Sequence, residues 1–177
     1  MKKAVIILFF MSVICLAYDK VNIINDYQNK NYKNVCMNSL NLVYTITDED
    51  MLSLIADACL RIDYINPLGD IIKKLYSTPK YRENASYFAT ILLQKKLIYQ
   101  FMNDGIDISD IRLPRTSYIL SVVFENLVKK NYKIVNNKIE IDLGVKKYLI
   151  WLSNDEKPKV FIQEYKNNKL IKQHWYL

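Results

Sequence analysis

The chain has 177 residues, and glycine, proline, histidine and arginine are all scarce in it. The three glycines, at positions 69, 105 and 144, cannot build a loop of several close glycines around a phosphate, which excludes the common nucleotide-binding motifs. One histidine exists, His174 between Gln173 and Trp175, and no Gly-x-Ser-x-Gly elbow accompanies it, so a Ser–His–Asp arrangement has no visible nucleophile. A strand histidine near a terminus is expected to be a surface or packing residue. Two thiolates, Cys36 and Cys59, and that distant lone histidine do not make the four ligands of a zinc site. Arginine, which reads phosphates and bases bidentately, occurs four times, so the formal charge of +7 rests on lysine and does not point to nucleic acid. No cofactor, metal or nucleotide is expected.

A continuous apolar run of the ~20 residues needed to span a bilayer is also missing. The longest such stretch starts at Ala4 and stops at the polar residues Tyr18-Asp19-Lys20. It reads as an export signal over residues 1–17: Met1-Lys2-Lys3 is a basic start, Ala4 to Leu16 an apolar centre, and Cys15-Leu16-Ala17 a small-residue cleavage site. Ile14 stands where a lipoprotein signal wants a small residue before Cys15. Cleavage leaves a chain beginning at Tyr18, with no membrane span, and expected in the periplasm. It also lowers the net charge from +7 to +5, since Lys2 and Lys3 leave without an acid.

What the chain does have is helical periodicity followed by strand periodicity. Met51, Leu52, Leu54, Ile55, Ala58, Cys59 and Ile62 form one stripe, and Ala85, Phe88, Ala89, Leu92, Leu93, Leu97, Ile98 and Phe101 form another. With Thr47-x-x-Asp50 as a capping box, Pro67 and Pro114 in first turns and Gly105 as a stop, helices are predicted near 19–30, 32–45, 48–63, 67–76, 80–103 and 114–130. Residues 18–130 thus read as antiparallel helical hairpins. Tyr32-Lys33-Asn34 and Tyr64-Ile65-Asn66 lie 32 residues apart, each expected to open the second helix of a pair. On that spacing residues 19–76 resemble the tetratricopeptide-like and Sel1-like repeats of bacterial periplasmic proteins. The resemblance implies stacked helix pairs whose groove holds a partner protein, and no binding residue carries over from it.

From residue 131 to 177 the period is two. Segments 132–135, 138–142, 147–152, 159–165 and 169–176 are strand-like, and Asn136-Asn137 and Asn167-Asn168 sit where tight turns need positive φ. The fold class expected is therefore α+β: a helical-hairpin domain followed by a small antiparallel meander. Ile139 and Ile141 share one face, and so do Ile171, Gln173, Trp175 and Leu177. One side should pack on the helix at 114–130, through Leu120, Val123, Phe124 and Leu127, because so small a sheet is unstable alone.

Cys36 and Cys59 are nearly equidistant from Thr47, and residues equidistant from a hairpin loop lie level along the two helices. A structural disulfide is therefore predicted, favoured by export. Two reduced, buried thiols are the alternative. The acids Asp48, Glu49 and Asp50 are ascribed to a helix N-terminus, and Asp104, Asp107 and Asp110 to turns.

The functional expectation is a non-catalytic scaffold or adaptor that binds other envelope proteins, in an assembly such as a flagellar or secretion machine. The partner-binding candidates are Ile171, Trp175 and Tyr176, on an edge strand at 169–176 open to strand addition. A carboxylate-based hydrolase of cell-wall glycan, needing two acids ~5–9 Å apart, is the first alternative. A periplasmic chaperone or ligand carrier, needing an apolar cavity, is the second.

Overall fold

Residues 18–176 are described by the structure, a computed structural model. The leader expected at residues 1–17 and Leu177 lie outside the described residues. Asp19 caps α1 (Lys20–Gln28) by accepting from the Asn22 amide at 3.0 Å. A left-handed Lys30 turns the chain into α2 (Tyr32–Asn38), which ends well before the expected residue 45. Asn38, Ser39 and Asn41 have side chains that compete with helical bonding, and the chain passes through a short 3₁₀ turn at Leu42–Tyr44. The Lys74 ammonium holds that turn, donating to the carbonyls of Val43 at 2.7 Å, Tyr44 at 2.8 Å and Ile46 at 3.3 Å.

The N-cap of α3 (Glu49–Arg61) is Asp48 rather than Thr47, its carboxylate accepting from the Asp50 and Met51 amides. A carboxylate caps and meets the helix dipole at once, which a threonine hydroxyl does not. Against the expectation of 67–76, α4 (Leu68–Ile72) is one short piece, and Tyr64-Ile65-Asn66 lies in the turn before it. Pro79 imposes extended backbone on Thr78, at φ −121° and ψ 163°, so no helix can run through to it. Thr78 and Pro79 instead open α5 (Pro79–Asp104), which Gly105 closes at φ +67°. Residues 105–118 then cross the surface without regular structure, and α6 (Ile119–Val128) starts later than the expected residue 114. Gln94 donates to the Pro114 carbonyl at 3.3 Å and the Thr116 amide donates to Ser121 Oγ at 2.9 Å, which holds this segment out of the helix.

The meander β1 (Lys133–Val135), β2 (Lys138–Asp142), β3 (Lys146–Leu152), β4 (Val160–Lys166) and β5 (Lys169–Tyr176) pairs in sequence order, every neighbour antiparallel. Both Asn-Asn turns have positive φ at each central residue, 49° and 59° in the first, 50° and 62° in the second. That twist matches the flanking strands. Across the inner face run Ile139, Ile150, Ile162 and His174, each opposite the next. The three isoleucines join Leu120, Val123, Phe124, Leu127 and the α5 residues Phe88, Ile91 and Ile98 in one continuous core. Beside the α6 residues expected to meet the sheet, α5 also lies against it, next to β3. At ~1.5 Å per residue, α5 is long enough to underlie both layers. The α+β layout holds, and among the described residues no helix is long and apolar enough to cross a membrane.

Candidate functional site

Two of the three partner-binding candidates are exposed and one is not. On β5, Ile171 is 55% and Trp175 43% exposed, whereas Tyr176 is 2% exposed and belongs to the core. The pleat explains the correction: Tyr176 shares the inward face with His174, one residue out of phase with Trp175. Pairing with β4 also shifts within β5. Glu164 faces Lys172 and Tyr165 faces Leu170, so Ile171 is the extra residue of a bulge. A bulge on an edge strand interrupts the ladder that an added strand would continue. Regular edge backbone is therefore confined to Lys172 through Tyr176.

Behind that strand lies a polar cluster that the sequence reading did not single out. Asp63 follows α3 in the left-handed conformation, at φ 63°, and the Tyr64 amide closes the helix end on the Cys59 carbonyl at 3.0 Å. Asp63 Oδ1 accepts from the Tyr118 hydroxyl at 2.7 Å and faces His174 Nδ1 at 2.8 Å, with the Tyr176 hydroxyl 3.2 Å away. Asp63 Oδ2 meets Lys172 Nζ at 2.9 Å. Burial raises the Asp63 pKa, but the hydrogen bond and charge of His174, with hydrogen bonds from Tyr118 and Lys172, outweigh it, and the carboxyl titrates below the ordinary value. Burial and this carboxylate push both tyrosines upward. His174 is thus not a bland packing residue.

An aspartate–imidazole pair is two parts of a nucleophilic triad, but the third part is missing. His174 Nε2 is buried and has no partner among the described residues. Among the described residues the hydroxyl within hydrogen-bond reach of the ring is that of Tyr176, 3.5 Å from Nδ1, on the wrong nitrogen for relay to a nucleophile. The cluster therefore works as a clasp, binding the last strand to the end of α3 and the start of α6. One sequence signal was available: His174 and Tyr176 alternate on the face of a strand whose apolar residues point outward.

The acid groups weighed as catalytic pairs have other engagements. Asp48 pairs with Lys20 and Asp50 with Lys80, each at 2.7 Å, while Glu49 accepts from the Tyr76 and Ser77 amides and the Ser77 hydroxyl. Asp107 accepts from the Ser109 amide at 2.9 Å and pairs with Lys130. A polar hollow of about 310 Å³ opens beside Tyr118 and Lys172, but its acid, Asp57, is held by the Tyr27 hydroxyl at 2.6 Å and by Arg61 at 3.1 Å.

Cys36 and Cys59 meet as the sequence predicted, buried between α2 and α3 with sulfurs at bonding distance and Cα atoms 4.9 Å apart. On the outer face of the sheet Trp151, Phe161 and Trp175 lie opposite one another on β3, β4 and β5. The rings of Trp151 and Phe161 stack at 5.3 Å, Lys138 Nζ sits 4.2 Å over Trp151, and Lys159 Nζ sits 5.4 Å over Trp175. Among the described residues Lys133, Lys138, Lys157, Lys166 and Lys169 pair with no carboxylate; of the unit's five acids Glu140, Asp155 and Glu164 are paired with lysines and Asp142 and Glu156 are not. Lys138 and Lys159 flank the apolar centre of this face, whereas Lys166 and Lys169 lie opposite Lys146 on the other phase of the pleat, at its margin. No protein-family model, curated protein or solved structure matches the chain.

Proposed function

We propose that the protein is a non-catalytic adaptor, exported to the periplasm, that binds another envelope protein through the outer face and β5 side of its sheet. The observation that carries this reading is the exposed set Leu170, Ile171 and Trp175 at one margin of the sheet, with Lys166 and Lys169, which pair with no carboxylate among the described residues, at the adjoining turn. Aromatic anchors rimmed by charge are what protein interfaces bury. Sugar stacking fits less well, because both faces of Trp151 are covered, one by Phe161 and one by Lys138. The lysines favour an acidic segment as partner, and a second copy on the same edge would bring like charges together. The bulge at Ile171 favours docking on the face, with strand addition limited to the regular part of the edge. The buried Cys36–Cys59 pair is consistent with export.

Carbodiimide cross-linking in the native envelope tests this, since it joins lysine amines to carboxylates without a spacer. Lys166 or Lys169 should be found joined to an acidic stretch of one partner. Trp175→Ala with Ile171→Asp should lower that yield by about tenfold or more, as expected for loss of an interface anchor, while leaving the melting temperature unchanged. Undiminished cross-linking in the variant, or cross-links confined to other faces, would refute the reading.

A further inference from the structure

We propose that the hollow walled by α5, α6 and the connection 105–118 is a binding site for a small amphiphilic carboxylate. It is remote in function from the β5 face and goes beyond the adaptor reading. Its volume is about 310 Å³, near the lower bound of ligand pockets, ~300–1,000 Å³. At ~30 Å³ for a water-sized group that space takes roughly ten non-hydrogen atoms. The walls are apolar, from Leu113, Phe124 and Val128. The mouth carries Arg112, Arg115 and Lys129 against one acid, Glu125.

That acid offsets one of the three positive charges and leaves the mouth net cationic. Lys129 donates to Glu125 at 2.6 Å, while Arg115 stays 3.8 Å away, too far for a hydrogen bond, and keeps its guanidinium donors for a ligand. Arg112 uses one terminal nitrogen on the Ser109 and Ile111 carbonyls, which orients its planar fork. Guanidinium forks suit carboxylates, and two of the chain's four arginines stand at this one mouth. The site is also preformed. Gln94 and Ser121, both buried, tie the connection down through Pro114 and Thr116. Irregular connections of more than about 12 residues in compact domains commonly serve binding.

Sodium octanoate matches the size and chemistry, and calorimetric titration of residues 18–177 with it tests the site. Saturable one-to-one binding is expected, with a higher melting temperature under saturating octanoate. Arg112→Gln with Arg115→Gln, both exposed positions, should weaken binding about tenfold or more without moving the unliganded melting temperature. Octan-1-ol, which has the tail without the charge, should bind at least as weakly. Val128→Phe, which fills the hollow, should remove binding of both. Absence of saturation up to about 10 mM octanoate, or equal affinity in the doubly substituted and parent proteins, would overturn the proposal.

Discussion

At the scale of single residues, two buried charged groups govern how stability answers to pH. Asp63 has a folded pKa below its ordinary value of ~3.9. Its contribution is therefore present above the unfolded pKa and is lost as the pH falls through the folded one. Asp63→Asn keeps the shape and tolerance of positive φ but removes the charge. It should cost about 2–3 kcal/mol at pH 7, and urea midpoints should show the gap to the parent closing as the pH falls below the ordinary carboxylate range. Lys95 is the opposite case, 4% exposed, its ammonium 2.5 Å from Asn66 Oδ1. Burial and the neighbouring Lys96 push its pKa down to about 8. Between about 8 and the ordinary ~10.4 the unfolded chain binds the extra proton, so stability rises with pH across that window. Lys95→Met should raise the melting temperature at pH 7 and flatten that alkaline rise. Neither group was legible beforehand. Lys95 lies in a helical stretch where lysine is ordinarily solvated, and Asp63 falls at the end of the helix predicted over 48–63, with nothing nearby in sequence to bury it.

At the scale of elements, the boundaries that the sequence reading missed have local physical causes. Pro79 requires extended backbone at Thr78, which keeps α5 separate from the stretch before it, and α6 starts late because Gln94 and Ser121 capture the segment ahead of it. The first cause could be read from a dipeptide, but the second depends on a residue in another helix. The Asn-Asn turns and the Gly105 stop were legible because positive φ demands those residue types. The pairing of Cys36 with Cys59 followed from hairpin symmetry. Closing a loop with sequence separation 23 should stabilise the fold by ~3 kcal/mol. Chemical denaturation of Cys36→Ser with Cys59→Ser should show a loss of that size; an unchanged midpoint would mean the thiols act only as small apolar side chains.

At the scale of the whole molecule, helices and sheet are joined by one core and by the clasp at Asp63, so they should unfold together. Both tryptophans, Trp151 and Trp175, are in the sheet, whereas the helices dominate far-ultraviolet dichroism. Urea transitions followed by tryptophan fluorescence and by dichroism should coincide; separate midpoints would show a sheet that melts alone. The sequence by itself determined the order of helices then strands, the turn positions and the cysteine pair, because each follows from periodicity or from conformational demands on one or two residues. Only the tertiary structure decided that His174 and Tyr176 are buried against Asp63 and that Ile171 sits in a bulge. It also decided that two arginines gather at one hollow, since each of these depends on which distant segments meet when the apolar faces leave water.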